Sequence, residues 1–137
     1  MKLTAFTDGA SRGNPGDAAI GIVIKDEHGK TVHSHKRYLG TATNNVAEYT
    51  ALLECIEIVK SAETFSCSEL VVRTDSELMS RQMNGKYKVK DVGLKVLFQT
   101  VHTALAAAKF KFSISHIPRS LNKEADALAN EAIDSKE

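Results

Sequence analysis

The chain has 137 residues, 42% hydrophobic and 26% charged, and 18 Lys plus Arg against 17 Asp plus Glu leave a net charge of +1. That is one globular domain's worth of ordinary composition, and it excludes a polybasic arm or an acidic tail as the main function. No run of about 18 apolar residues offers a membrane span, the start Met1-Lys2-Leu3-Thr4-Ala5-Phe6-Thr7-Asp8 meets a carboxylate too soon for a signal peptide, and Cys55 and Cys67 form no CxxC pair or zinc spacing; a cytoplasmic protein with two unpaired thiols is expected.

In chain order, Leu3 to Thr7 reads as a short strand ending at Asp8. Asp8-Gly9-Ala10-Ser11-Arg12-Gly13-Asn14-Pro15-Gly16 is dense in turn formers and reads as a loop. Ile20-Gly21-Ile22-Val23-Ile24 is continuously apolar, as in a strand buried on both faces. Asp26 to Lys30 is a hairpin turn, followed by a hydrophilic strand from Thr31 to Leu39 whose His33 and His35 are expected to be exposed. Thr43-Asn44-Asn45 offers capping side chains for a helix with Tyr49, Leu52, Leu53, Ile56 and Val59 on one stripe. Leu70 to Thr74 is a fourth strand ending at Asp75. A short helix over 76–83 follows, breaking at Asn84-Gly85. A helix from Val92 to Lys109, a strand from Lys111 to Ile117 and a helix from Ser120 to Ile133 complete the pattern, with Asp134 to Glu137 fraying. Three strands without helices between them, then strands joined by helices, predict an α/β fold. Its mixed five-stranded sheet begins as an antiparallel meander, continues in parallel strands and is flanked by helices.

Four carboxylates sit where carboxylates are costly. Thr7-Asp8 and Thr74-Asp75 both close strands, the position outside which α/β sheets bind ligands. The bland alternative for each Asp is a turn or helix cap. Glu48, with Leu52 and Cys55 at i+4 and i+7, borders a buried stripe, and Asp126, beside Ala125 and Ala129, does likewise. Complementing a helix dipole is the bland alternative for Glu48. Buried acids need a reason, and four converging on one sheet end would repel unless neutralised. Oxygen-only ligands suit Mg²⁺ or Mn²⁺ rather than zinc. A pair of such ions about 3.5–4 Å apart activates water and stabilises a leaving oxygen in phosphoryl transfer.

Thr7-Asp8-Gly9-Ala10 with Gly13-Asn14-Pro15-Gly16, Thr43-Asn44-Asn45-Val46-Ala47-Glu48, Thr74-Asp75-Ser76 and Asn122-Lys123-Glu124-Ala125-Asp126-Ala127-Leu128-Ala129 resemble, in this order, the four motifs of type 1 ribonuclease H. The resemblance covers essentially all of residues 1–137. It implies a single catalytic domain, and a monomer without an obligate protein partner is the simplest expectation. Such an enzyme hydrolyses the RNA strand of an RNA–DNA hybrid and leaves 5′-phosphate and 3′-hydroxyl ends. Asp8, Glu48, Asp75 and Asp126 would ligate two Mg²⁺ ions, Asp8 shared between them and Glu48 also near a 2′-hydroxyl. Asn14 and Asn45 match positions at the hybrid's shallow minor groove, Thr43 and Arg12 positions that hold a backbone phosphate, and Asn44 is a further substrate-binding candidate.

The sequence departs from that pattern in two places. The long basic handle of many bacterial members is reduced to Asn84-Gly85-Lys86-Tyr87-Lys88-Val89-Lys90-Asp91, as in the compact branch, with Lys86, Lys88 and Lys90 as partial substitutes. The loop His that assists product release in many members is replaced by Arg119, seven residues before Asp126. His116, ten before it, is the alternative but reads as strand. A non-catalytic module binding hybrid or double-stranded RNA, and another nuclease on the same scaffold, are the competing readings. The complete carboxylate set opposes the first, and Glu48 with the Asn14 loop opposes the second.

Overall fold

A computed structural model describes residues 1–62 and 65–137. Strands β1 (Lys2–Gly13), β2 (Gly16–Lys25) and β3 (Thr31–Ala42) form an antiparallel meander, followed by α1 (Asn44–Ser61), β4 (Glu69–Thr74), α2 (Glu77–Met83), α3 (Val92–Ala106), β5 (Lys111–His116), a 3₁₀ turn (Arg119–Leu121) and α4 (Lys123–Ser135). The sheet order is β3-β2-β1-β4-β5, with β4 and β5 parallel to β1. This is the expected mixed α/β sheet.

The largest departure from expectation is β1. Asp8 to Gly13 is strand, because Asp8 pairs with Gly21 and the ladder runs on to Gly13 opposite Gly16. Only the four residues Gly13–Gly16, with a cis Asn14–Pro15 bond, make the turn. Turn-forming composition is overridden here by pairing with a strongly β-forming neighbour, the tertiary context that sets strand propensity. The parallel β1–β4 pairing nevertheless ends at Thr7 and Thr74. Asp8 and Asp75 therefore still lie just past the last rung of that ladder.

β2 is buried on both faces, Ala18 to Ile24 being 0–2% exposed where apolar. α1 and α3 cover one apolar cluster with Leu52, Ile56 and Val101, and α4 packs against β2 and β1 through Ala125 and Ala129. Thr43 caps α1 as expected, its Oγ1 accepting from the Val46 N–H at 3.2 Å. α3 ends at Ala106 rather than Lys109. The last helix starts at Lys123 rather than Ser120, the preceding residues forming the 3₁₀ turn, and it runs through Ser135 instead of fraying from Asp134. His33 and His35 are half-buried rather than exposed: His33 packs edge-on against Phe65, and His35 Nε2 lies 3.2 Å from Glu54 Oε1, a carboxylate that also binds Arg37.

Candidate active site

Two glycines decide where the carboxylates meet. Gly9 follows Asp8 in the chain, and Gly21 is the partner of Asp8 across the β1–β2 ladder. A Cβ at Gly9 would stand 2.3 Å from the backbone of Ala47 and Glu48, and one at Gly21 would stand 2.1 Å from the Ala125 carbonyl oxygen. Lacking side chains there, the sheet lets α1 and α4 rest directly on strand backbone beside Asp8. Glu48 from α1 and Asp126 from α4 are thereby delivered to the same place. Asp75 arrives from the end of β4.

The four acids line one cavity of about 440 Å³, together with Asn44, Ser76, Arg119, Asn130 and Arg12. Carboxylate oxygens of Asp8, Glu48 and Asp75 all lie within 4.8 Å of one another. Asp8 is 5% exposed and Glu48 3%. Burial, reinforced by Glu48, Asp75 and Asp126, pushes the Asp8 carboxyl from 3.8 up to about 9. Burial and the charge of Asp75 push Glu48 from 4.5 to about 8, against the opposing pull of the Gly9 N–H and Arg119. The cluster thus lacks enough positive charge of its own to hold four ionised carboxylates. Its donors are all hard oxygens, which fits a divalent cation of the Mg²⁺ or Mn²⁺ kind.

The capping alternative falls away for Asp8 and Asp75, and Glu48 lies beyond the first turn of α1, the turn where the helix dipole is felt. Glu48 accepts a hydrogen bond from the Gly9 N–H at 2.7 Å, in a different element from its own helix. α2 is capped by Ser76, whose Oγ accepts from Met79 N–H at 3.2 Å, so Asp75 is free of that task. Asp8 lies within a strand.

The surrounding residues divide. Asn14 Oδ1 accepts from the Asn44 N–H at 3.1 Å, tying the β1–β2 turn to the start of α1. Asn45 is half-buried on the first turn of α1 and Thr43 is its cap. Arg12 reaches Asp134 at 2.6 Å and Asn130 Oδ1 at 3.2 Å, so its guanidinium is anchored on α4 at the cavity rim. Arg119 Nη2 stands 3.8 Å from Asp126 Oδ1. His116 does not line this cavity; it lines a neighbouring one between α2 and β5. The three lysines part company. Lys86 lines that neighbouring cavity, Lys88 lines another with Tyr87 and Phe98, and Lys90 is exposed.

Sequence reasoning missed two asparagines. Asn130, one turn after Asp126, donates to its carbonyl at 3.0 Å and to its carboxylate at 3.3 Å; the i+4 spacing was the available signal. Asn122, 1% exposed, donates from Nδ2 to the Thr7 carbonyl at 2.9 Å. Its backbone also donates to the Arg119 carbonyl and accepts from the Asp126 N–H. One buried residue, by its side chain and its backbone, thus joins the strand of Asp8 to the turn of Arg119 and the helix of Asp126.

A family model described as reverse transcriptase-like matches residues 6–132. Ribonuclease HI of Halobacterium salinarum is 40% identical over 133 residues, 97% of this chain and 65% of that protein. The chain belongs to the type 1 ribonuclease H family. Ribonuclease H of Clostridium botulinum is 30% identical over 146 residues, covering 97% of this chain and 96% of that one. The crystal structure of LC11-RNase H1 in complex with RNA/DNA hybrid matches with a TM-score of 0.93 and 44% identity, over 98% of each chain. The chain spans slightly less than two thirds of the halobacterial relative's length. Among the described residues, no helix is long and apolar enough to cross a membrane.

Proposed function

We propose that residues 1–137 form one catalytic domain that cleaves the RNA strand of RNA–DNA hybrids endonucleolytically, leaving 5′-phosphate and 3′-hydroxyl ends. The reading extends to a monomer acting in the cytoplasm, in keeping with two free thiols. The observation that carries it is the convergence of three carboxylates within 4.8 Å, in a cavity also lined by Asp126, on a ribonuclease H fold. A module that only bound nucleic acid would gain nothing from buried acids facing a polyanion.

Asp8, Glu48, Asp75 and Asp126 would hold two Mg²⁺ or Mn²⁺ ions, four negative charges against four positive. When bound, such ions supply Lewis-acid charge that makes water a nucleophile near neutral pH and neutralises a departing oxygen. The chain's own residues do the rest. The Gly9 N–H fixes one Glu48 oxygen, leaving the carboxylate to face the cavity and a ribose 2′-hydroxyl, a group that DNA lacks. Asn14, Asn44 and Asn45 present amides from the β1–β2 turn and the first turn of α1 toward the shallow groove. Thr43 and Arg12 supply backbone phosphate contacts, which position a duplex without reading its sequence. Arg119 places one mobile positive charge beside Asp126, suited to easing the 5′-phosphate product away.

The test is a hybrid labelled on its RNA strand, incubated with Mg²⁺ and either the protein or its Asp8→Asn variant. Internal cleavage that depends on Asp8 is expected. Absence of cleavage by the unaltered protein, or cleavage that survives the substitution, would overturn the reading.

A further inference from the structure

Beside the acid cavity lies a second one of about 270 Å³, between α2 and the end of β5. Its wall carries Arg81, Lys86 and His116, with Ser80 and Ser115 as neutral partners and Glu77 as its one acid. Arg81 and Lys86 against Glu77 leave a net charge of +1 before His116 is counted. The Arg81 Nε is a buried atom with no hydrogen-bond partner among the described residues. Glu77 Oε1, at 3.7 Å, is too far to accept from it. With 40% of its side chain exposed, the Arg81 guanidinium can turn to donate to an anionic oxygen entering the groove. The Arg81 guanidinium also lies 5.5 Å from the Tyr87 ring centroid, a contact that steadies it at the groove's rim.

The two cavities share their connecting segments. Asp75 and Ser76 line the acid cavity, and Glu77, the next residue, lines the groove. Arg119 lines the first and His116, three residues earlier, the second. A nucleic-acid strand carries a charge for about every 3.4 Å of axis. A strand with one phosphate at the acids therefore has others close by. We propose that the α2–β5 groove is a phosphate subsite, taking a backbone phosphate of the substrate duplex other than the one that is cleaved. Arg81 and Lys86 are its charged contacts, and His116 is a ring-nitrogen contact.

This rests on the hybrid-cleaving reading, and the experiment separates the two. Hybrids are made with a single neutral methylphosphonate linkage placed at one position at a time on either strand. Specificity constants with Mg²⁺ are then measured for the protein and for an Arg81→Gln/Lys86→Gln variant, whose folding is checked by thermal melting. At one linkage outside the cleaved one, the unaltered protein should lose about tenfold. The double variant should lose a similar factor on the unmodified hybrid, and nothing further at that linkage. Its log affinity should also fall less steeply with log salt, by roughly 0.9 per lost phosphate contact. Losses that multiply independently at every linkage would overturn the subsite while leaving the cleavage reading intact. No cleavage of any hybrid by the unaltered protein would overturn both.

Discussion

Glu48 and Leu52 sit one turn apart on the same face of α1, 3% and 0% exposed, and their burial has opposite consequences. Leu52 joins an apolar cluster with Ile22, Ile56 and Val101, where removal from water stabilises the fold. Glu48 ends against Asp8 and Asp75, where removal from water raises the proton affinity of Glu48 and of Asp8. One helix therefore carries both a source of stability and a drain on it. The drain persists because buried, mutually repelling oxygens form a site that a divalent cation completes. Functional sites commonly break the local rule that the core obeys.

The sharpest way to break this comparison is to neutralise the acid side. Asp8→Asn removes a ligand together with a carboxyl whose ionised form burial and its acidic neighbours disfavour. Cleavage should fall by on the order of 10³-fold in kcat, the size seen when a single electrostatic stabiliser of a transition state is removed. The metal-free variant should nevertheless melt at a higher temperature than the unaltered protein. A lower melting temperature would show that the acid cluster stabilises the fold, contrary to the comparison. On the core side, Leu52→Ala should cost about 2–5 kcal/mol in denaturant unfolding. At a temperature where the variant is fully folded, its turnover should stay near normal.

Asn122 connects the two sides. Replacing it with Ala leaves the buried Thr7 carbonyl without its 2.9 Å donor, at a cost of about 1–3 kcal/mol. Because the same residue links Asp8's strand to Asp126's helix, Mg²⁺ affinity should weaken as well, by about 10–100-fold, as for outer partners of metal ligands. Calorimetric titration of the metal-free protein with Mg²⁺ checks this. Loss of stability with unchanged affinity would reduce Asn122 to a packing residue.

How much of this was legible in the sequence follows physical reach. β2, α1 with its Thr43 cap and the β4–α2 junction were legible because their signals are local: a continuous apolar run, a 3.6-residue stripe, a capping hydroxyl. The four acids were legible as acids out of place. β1 beyond Asp8 was not, since Gly9, Ser11 and Gly13 favour turns, and only the partner strand makes them a ladder. Asn122 was legible only as the start of the fourth motif, and its role was hidden for the same reason: its acceptor lies 115 residues away. The spread of Lys86, Lys88 and Lys90 over different surfaces was equally hidden. A charge run has no direction until α2 and α3 place it.

Acidity offers a milder perturbation. Asp8 and Glu48 have folded values of about 9 and about 8, above the ordinary 3.8 and 4.5. The folded metal-free protein therefore holds protons that the unfolded chain releases as pH rises from about 4. Stability linked to these groups is complete below that point, and it is lost as pH climbs through 8 and 9. The melting temperature of the metal-free protein should fall between pH 5 and pH 9, and millimolar Mg²⁺ should restore most of the loss at the alkaline end. A profile that stays flat without metal would mean that the acids are already compensated within the fold.

The smallest expected effect concerns the two basic residues near β5. Arg119 lies in the acid cavity with its side chain 82% exposed, 3.8 Å from Asp126, whereas His116 faces the adjoining groove. A charge so open to solvent is screened and adds little to stability. Its effect on a doubly charged phosphate leaving the acids is correspondingly modest. Arg119→Ala should lower kcat by about tenfold with little change in KM, less than the roughly 10²–10³ of a buried donor because this charge is screened. His116→Ala should instead raise KM, because its groove holds a part of the duplex that does not react. An Arg119→Ala variant with normal turnover, beside a His116→Ala variant with depressed kcat, would exchange the two roles. The acid cavity would then have to draw its assisting charge from across the β5–α4 turn rather than from its own wall.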